Sequence, residues 1–522
     1  MVGSKMPAVV DEWTEVLAAL SLATDLANGH DYEKTLRTCV LAVGLAEVAG
    51  FTEVEQRDVF HATLLRFIGC TSFAHEEALM FGDDIATRHA FATVDFGDLG
   101  QLWRAGGEAL RGAPALGRLV RRGVALTRAS DNLQRLFASQ CEVATRLGTR
   151  LGLGAGVVRA LGEIHERWDG EGGPAGLAGE QLGAVVRVVQ VANLAELIHH
   201  RFGADAAIEV VGRRRGGALG PELADTFCTH ARSLLAPLDS GSAWDTFVTT
   251  GARFPTIGPG HEVDEIVAAF ADVADMVSGY TLGHSRAVAK AAGIGAANLG
   301  LSAERRAELQ RAALLHDVGR VAVPASIWDK RGSLSPADWE RIRLHAYYGD
   351  RILRRAPKLR GAAALVCLTH ERCDGSGYPR AVDAKALAPE GHLLAAADVY
   401  CALREERPHR PARSRAEATS ELRREVAAGR LHAEAVDALL GSRVASERNS
   451  PRPAGLTPRE IEVLQWVARG ETNKEVANRL GISPRTVGHH LAHAFEKIGV
   501  STRAAAGLFA VEHGLLGPEL GG

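Results

Sequence analysis

Six side chains able to hold a hard or borderline cation are spread over the second half of the 522-residue chain: His284, the adjacent pair His316-Asp317, His345, His370 and Asp398. Imidazole nitrogen and carboxylate oxygen together suit Fe, Mn or Zn, and no thiolate is needed. A single histidine is more often an ordinary surface or core residue than a ligand. The argument therefore rests on six such residues in order. The His-Asp pair closes an apolar helix and is followed by Gly319, which reads as a helix C-cap. A histidine from the preceding helix and an aspartate from a later one could close with that pair around one cation. The chemistry such a cation supports is metal-assisted hydrolysis.

The chain contains its own control, because it holds two copies of one unit. Residues 164–174 (IHERWDGEGGP) and 369–379 (THERCDGSGYP) are identical at seven positions. Thr63–Gly69 parallels Ala313–Gly319, and Val188–Asn193 parallels Leu393–Asp398. The first copy has Lys34, Arg66, Phe67 and Asn193 where the second has His284, His316, Asp317 and Asp398. That set does not bind a metal in the same way, so the ligands are not required for folding alone. Arg66 and His165 are 99 residues apart and His316 and His370 are 54 apart, so the first copy carries an insertion, expected around residues 90–140.

Gly283-His284-Ser285, Leu315-His316-Asp317-Val318-Gly319, His345, His370-Glu371-x-x-Asp374-Gly375-x-Gly377-Tyr378-Pro379 and Ala397-Asp398-Val399-Tyr400 resemble the HD-GYP domain over about residues 262–440. The resemblance implies an all-helical metallophosphodiesterase that hydrolyses cyclic di-GMP with Fe or Mn. It implies His284, His316, Asp317 and Asp398 as a shared metal core, with His345 and His370 serving an additional ion. Asp317 and Arg320 would act in catalysis, and Arg320 with Asp374, Gly375, Gly377, Tyr378 and Pro379 would meet the substrate. The glycines of that loop would let backbone approach a ligand closely. The sequence departs from the pattern at Thr369, where the family has a further histidine, at Arg320, where it has lysine, and at Cys401, where aspartate is common. A hydroxyl is a poor ligand for these cations, so one ion is expected rather than two or three. Arginine can clamp a phosphate but cannot donate a proton as lysine does.

The last unit reads differently. Thr457, Pro458 and Glu460 form a capping-box signature. Leu480-Gly481-Ile482-Ser483 is a helix end, a turn and a new N-cap, and Val487, Leu491, Phe495 and Ile498 recur at helical spacing. Two short helices about a glycine turn make a helix-turn-helix. Residues 455–514 resemble the LuxR-type DNA-binding domain. That implies a dimer on double-stranded DNA with the second helix in the major groove. Ser483, Arg485, Thr486, His489 and His490 would then face bases or phosphates, and Lys474 and Lys497 would hold backbone. Gly488 stands where lysine or arginine is commoner.

The elements that must position these residues are expected to be helices throughout: all-α, tandem HD-type units followed by a four-helix helix-turn-helix domain. The expected divisions are a degenerate HD-like domain at 13–238, an HD-GYP-type domain at 262–440, a linker at 442–454 and the DNA-binding domain at 455–518. The Gly- and Pro-rich stretch 237–260 reads as a junction. The apolar share of 46%, charged share of 24% and net charge of −3 exclude wholesale disorder and a chain coated with basic residues. The chain has 52 arginines against 8 lysines, a genomic bias without functional content. Seven scattered cysteines without a Cys-x-x-Cys pair fit a reducing compartment. No apolar run approaches the ~18–20 residues of a membrane span, and no apolar leader precedes Asp11, so a cytoplasmic protein without membrane partners is expected. Three readings remain open at this level. One is a cyclic di-GMP-responsive regulator, one an inactive HD scaffold or nucleotide sensor in a transcription factor, and one a phosphohydrolase of another nucleotide.

Overall fold

The computed structural model describes residues 10–109, 129–239, 241–254, 262–441 and 453–516. Most of the expected linker, and 110–128 of the expected insertion, lie outside the described residues. Among those described, every regular element is a helix, and pairing outside helices is limited to isolated bridges such as Asp374–Asp383. All seven cysteines are free. No described helix is long and apolar enough to cross a membrane. The chain divides into two compact units, Met1–Glu265 and Ile266–Gly522.

In the first unit, helices Glu12–Ala27, Lys34–Val48 and Glu53–Leu64 start on side-chain caps or tight turns. Asp11 accepts from Thr14 N at 2.8 Å, and Thr52 forms a capping box with Glu55. Leu17, Leu20, Leu36, Leu41, Leu45 and Phe60 are fully buried between these helices. Helices Ala129–Arg150 and Ala184–Phe202 complete the frame; the short helix Leu99–Ala109 falls in the stretch expected as an insertion, and two more, Ala74–Phe81 and Asp84–Phe91, precede it. The stretch expected as a junction contains helix Ala243–Gly251. Its Phe247 is fully buried and stacks on Phe60 at 5.2 Å, so apolar burial draws this segment into the first unit.

The second unit repeats the frame with helices His284–Asn298, Ala303–Leu315, Pro336–Leu353 and Pro389–Arg404. The repetition extends to local devices. Asp275 accepts from Ser285 N (2.9 Å) and Ser285 Oγ (2.7 Å), as Asp25 does from Thr35. The residue before each of these helices is left-handed, Gly283 at φ 79° and Glu33 at φ 69°.

Gly319 is not a left-handed cap. Helix Ala303–Leu315 ends with His316 in right-handed conformation and a short 3-10 turn, Val318–Ala322, follows. The glycine is needed because a Cβ there would lie 2.0 Å from the His345 carbonyl oxygen; Gly69 stands 2.1 Å from Gln140 O in the same way. Helix Pro336–Leu353 thus crosses directly on the His-Asp turn. This crossing also identifies Gln140 as the first-unit counterpart of His345.

The C-terminal helices Pro458–Ala468, Asn473–Leu480, Pro484–Ile498 and Arg503–Glu512 carry capping boxes at Thr457/Glu460 and Thr472/Glu475, and Gly481 ends the second helix in left-handed conformation. Val463, Val467, Val476, Val487 and Leu491 form one core cluster, and Leu464, Ala494, Ile498 and Phe509 belong to another. Phe495, half-buried, packs against both.

Two glycine substitutions of opposite sign test this account. Gly319→Ala should destabilise by about 1–3 kcal/mol, because its methyl meets backbone that cannot yield. Gly293→Ala, inside helix His284–Asn298 with nothing within 4 Å of the added carbon, should stabilise by about 0.8–1 kcal/mol. Denaturant unfolding of both variants is the measurement.

Candidate metal centre and nucleic-acid interface

All six candidate ligands of the second unit converge, and all are buried. His284 opens its helix, His316 and Asp317 form the turn after helix Ala303–Leu315, His345 lies in helix Pro336–Leu353, His370 follows helix Arg360–Val366, and Asp398 lies in helix Pro389–Arg404. Their atoms fall into two groups joined by the Asp317 carboxylate, and Asp398 Oδ2 also reaches His370 Nδ1 at 3.5 Å. In the first, His284 Nε2 is 3.2 Å from Asp398 Oδ1 and 3.7 Å from Asp317 Oδ2. His316 Nε2 is 3.1 Å from Asp317 Oδ2 and 3.7 Å from Asp398 Oδ1. In the second, His345 Nε2 is 2.8 Å from His370 Nε2 and 3.5 Å from Asp317 Oδ1. These are spacings of donor atoms about a cation with bonds of about 2.0–2.2 Å. Two triads, His284-His316-Asp317 and Asp317-His345-His370, meet the requirement that one atom from each residue lie within 4.8 Å of the others.

The donor set fits a cation on a further ground. His316 Nε2 and both Asp317 oxygens are buried without a hydrogen-bond partner. Such atoms are costly unless something satisfies them. The opposite ring nitrogens are already engaged: Nδ1 of His316 donates to Ala313 O (2.8 Å) and Nδ1 of His345 to Ile342 O (2.5 Å), which turns each Nε2 lone pair inward. His284 Nδ1 meets Glu405 Oε2 at 2.9 Å, and Arg407 pairs with Glu405 at 2.7 Å. The sequence reading missed Glu405. Its signal was its place seven residues after Asp398, two helical turns along the same face.

The Thr369 hydroxyl donates to its own preceding turn, to Val366 O at 3.1 Å, so it joins neither group, yet two groups remain.

Charge is divided unevenly between the groups. Burial would lower the pKa of His284, but Glu405 and Asp398 outweigh it and raise it. Burial is likewise outweighed at His316, where Asp317 and Asp398 raise the pKa to about 10. Burial would raise Asp317 and Asp398, but Arg320 and His316 for the former, and His284 and His316 for the latter, hold them well below the usual carboxylate range. In the second group burial dominates, lowering His345 to about 4 and His370, with His345 beside it, well below its ordinary value.

Arg320 lies inside the site, with Nε 2.9 Å from Asp317 Oδ2, its guanidinium 4.7 Å from the Trp328 ring centre, and Nη1 buried without a partner. Tyr378 stacks on His370 at 5.0 Å. The remaining loop residues also hold the loop itself in shape. Asp374 accepts from Ser376 N and Oγ within its own turn, and a Cβ at Gly377 would lie 2.4 Å from Arg372 N. Glu371 accepts from Arg380 N and Val382 N at 2.7 and 3.1 Å. The first unit, without the ligands, builds the same loop: Glu166 accepts from Ala175 N and Leu177 N, and a Cβ at Gly172 would lie 2.4 Å from Arg167 N. Asp374, Gly375 (φ 77°) and Gly377 therefore shape the loop, and Pro379 is exposed on it.

In the helix-turn-helix, Arg485, Thr486, His489 and His493 are exposed on one helix, His490 is half-buried, and Lys474 is exposed on the preceding helix. Ser483 is the N-cap, accepting from Thr486 N at 3.1 Å. Lys497 is already engaged, donating to Glu460 at 2.7 Å, and would have to leave that carboxylate to meet a phosphate.

Residues 268–434 match the family model of the HD domain, and residues 454–510 match that of bacterial regulatory proteins of the luxR family. The chain thus carries an HD domain and, C-terminal to it, a domain of the luxR family. It is 27% identical over 417 residues to 3'3'-cGAMP-specific phosphodiesterase 3 of Vibrio cholerae, covering 76% of this chain and 88% of that protein. It is 35% identical over 182 residues to the cyclic di-GMP phosphodiesterase of Thermotoga maritima, covering 34% of this chain and 48% of that one. A crystal structure of a cyclic GMP-AMP specific phosphodiesterase of V. cholerae shares the fold, with a TM-score of 0.56 at 22% identity over 82% of this chain and 96% of that one.

The two groups should be separable by metal analysis. The full chain should take up two Mn ions, His345→Ala one, and Asp317→Asn close to none. The ion retained by His345→Ala should bind more tightly as pH rises from about 6 to 8, by roughly tenfold per unit for each proton displaced, because His284 and His316 hold protons that the cation must replace. A binding isotherm at each pH checks the sign.

Proposed function

We propose that this chain is a cytoplasmic, homodimeric transcriptional regulator whose second unit hydrolyses a cyclic dinucleotide, cyclic di-GMP or a close relative, and whose C-terminal helices bind double-stranded DNA. The observation that carries the reading is Asp317, whose two buried oxygens face two groups of inward-turned imidazoles, with Arg320 as the one permanent cation paired to it. Fe or Mn bound there would supply a Lewis acid and a nucleophilic water at neutral pH. The residues of the chain do the rest. His284, His316, Asp317 and Asp398 would hold one ion, and Asp317, His345 and His370 the other. Arg320, fixed on Trp328, presents Nη1 to a phosphoryl oxygen and neutralises its charge without giving up a proton. Tyr378 covers His370 and keeps water from its ring face.

The route from nucleotide to DNA is short. Glu405 supports His284, and the next residue, Glu406, accepts from Arg479 of the first helix of the helix-turn-helix at 3.2 Å. A ligand that binds differently to two arrangements of this contact would shift operator affinity. Thr369 favours a second reading, a sensor that binds the nucleotide without cleaving it.

Metal-loaded full chain should convert cyclic di-GMP to a linear product. His316→Ala should reduce the rate by more than the about 100-fold that loss of an outer partner of a ligand costs. Stoichiometric nucleotide binding without turnover would select the sensor; turnover that survives His316→Ala would remove this site as its source. Operator affinity measured with and without cyclic di-GMP should differ, and Glu406→Gln should erase the difference while leaving hydrolysis in place. Equal affinities in the unaltered chain would remove the coupling.

A further inference from the structure

The first unit keeps the geometry of the metal centre and inverts its charge. Position by position, Lys34 stands for His284, Arg66 for His316, Phe67 for Asp317, Gln140 for His345, His165 for His370 and Asn193 for Asp398. The contacts are conserved in kind. His165 Nε2 meets Gln140 Oε1 at 2.8 Å, where His345 and His370 meet at 2.8 Å. Phe137 stacks on His165 at 4.5 Å, where Tyr378 stacks on His370. Lys34 is fully buried and its ammonium donates to Asn193. Both carboxylates that would attract a cation are gone, and two fixed cations occupy the site.

Those cations are incompletely satisfied. Nε and Nη1 of Arg66 are buried with no hydrogen-bond partner, as is Nδ1 of His30, whose ring lies 5.2 Å from that of Phe67. The acids acting on Lys34 are committed elsewhere: Asp25 to Thr35, and Glu196 to Arg37 at 2.7 Å. An arginine fork with two free N–H groups beside an ammonium is the arrangement that takes phosphate oxygens. Phe67 lies between the cations, its ring centre 4.9 Å from Lys34 Nζ and 5.2 Å from the Arg66 guanidinium carbon. Being partly exposed, it supplies ring surface suited to a base. Arg66, Phe67, His165 and Asn193 are each partly exposed, so the cluster is not sealed.

We propose that this cluster is a metal-independent binding site for the phosphodiester of a nucleotide, with Arg66 and Lys34 in the places that metal ligands hold in the second unit. It is distinct from the hydrolytic site and does not depend on turnover there.

The test uses the full chain stripped of metal with a chelator, so that the second unit holds no cation. Cyclic di-GMP and inorganic phosphate are titrated separately by calorimetry, with melting temperature followed in parallel. Cyclic di-GMP should bind and raise the melting temperature. Arg66→Met should weaken that binding by about tenfold or more, the worth of hydrogen bonds to a charged group, and His316→Ala should leave it unchanged. Without nucleotide, Arg66→Met should melt no lower than the unaltered chain, because it removes an unpartnered buried charge. Asn193→Asp, which keeps both cations but sets a carboxylate against Lys34, should also weaken binding and serves if Arg66→Met does not fold. The proposal is overturned if the stripped chain binds no nucleotide, or if binding is lost in His316→Ala and kept in Arg66→Met. It also fails if Arg66→Met melts lower yet binds normally, which would make Arg66 a structural cation. Binding of inorganic phosphate as tight as that of cyclic di-GMP would overturn the assignment to a nucleotide.

Discussion

The arrangement of the second unit depends on one buried carboxylate. Asp317 has no exposed surface and directs one oxygen to His284 and His316 and the other to His345. A charge so placed is expensive unless positive charge surrounds it. Arg320 supplies part of that charge permanently, and proton or metal supplies the remainder. The helices bearing His284, His345 and Asp398 come from separate stretches of chain; those of His284 and Asp398 also pack on each other, with Leu393 against Gly295. Gly319 lets helix Pro336–Leu353 approach closely enough for His345 to reach the same carboxylate. Backbone packing and the electrostatics of the site are thus a single constraint.

Comparing the two units separates what the frame needs from what the chemistry needs. Asp275 and Asp25, Glu371 and Glu166, Gly319 and Gly69, and Gly377 and Gly172 do the same work in both, tying down a helix start, a loop or a crossing. They persist where the ligands have gone, so their role is architectural. The positions that differ are the ones that face the centre. Phe67 for Asp317 removes the anion around which the second unit is organised, and an aromatic ring of that size excludes a cation from its place. What remains is a frame able to carry either sign of charge at its focus.

Much of this was legible in the chain. The paired motifs give the repeat, the order of histidines and aspartates gives the centre, and Thr457, Glu460, Gly481 and Ser483 give the last three-dimensional motif, because capping and turn chemistry are local. Features set by distant packing were not legible. Gly319 reads as a cap from its neighbours in sequence, and only the His345 carbonyl across the helix crossing explains it. The segment 243–251 reads as a junction from its surrounding glycines and prolines, but Phe247 finds Phe60 and the helix is absorbed. The part Asp374 and Gly377 play in holding their loop in shape was not legible from the motif, because it depends on Ser376 and on the Arg372 backbone. Nor was it legible that the two oxygens of Asp317 face different sets of imidazoles, because a residue name does not disclose how its atoms are shared.

The position of the helix-turn-helix within the second unit bears on how the proposed regulation would work. Its contacts with the HD domain include Arg479 to Glu406, the Arg469 backbone, whose oxygen would lie 2.4 Å from a Cβ at Gly279, and the last helix, where a Cβ at Gly507 would lie 3.5 Å from Leu282. Trp466 lies between these arginines, 4.8 and 4.5 Å from their guanidinium carbons. Arg485, Thr486, His489 and His493 stay exposed. Occlusion of the recognition helix by its own HD domain is therefore not the device. A dimer on DNA must match the spacing of two half-sites, about 34–36 Å or a multiple of it. Small changes at the Glu405-Glu406 step would re-aim the whole helix-turn-helix relative to that of a second copy. On this reading the nucleotide acts on the separation of two recognition helices, and DNA affinity follows from whether that separation fits the groove.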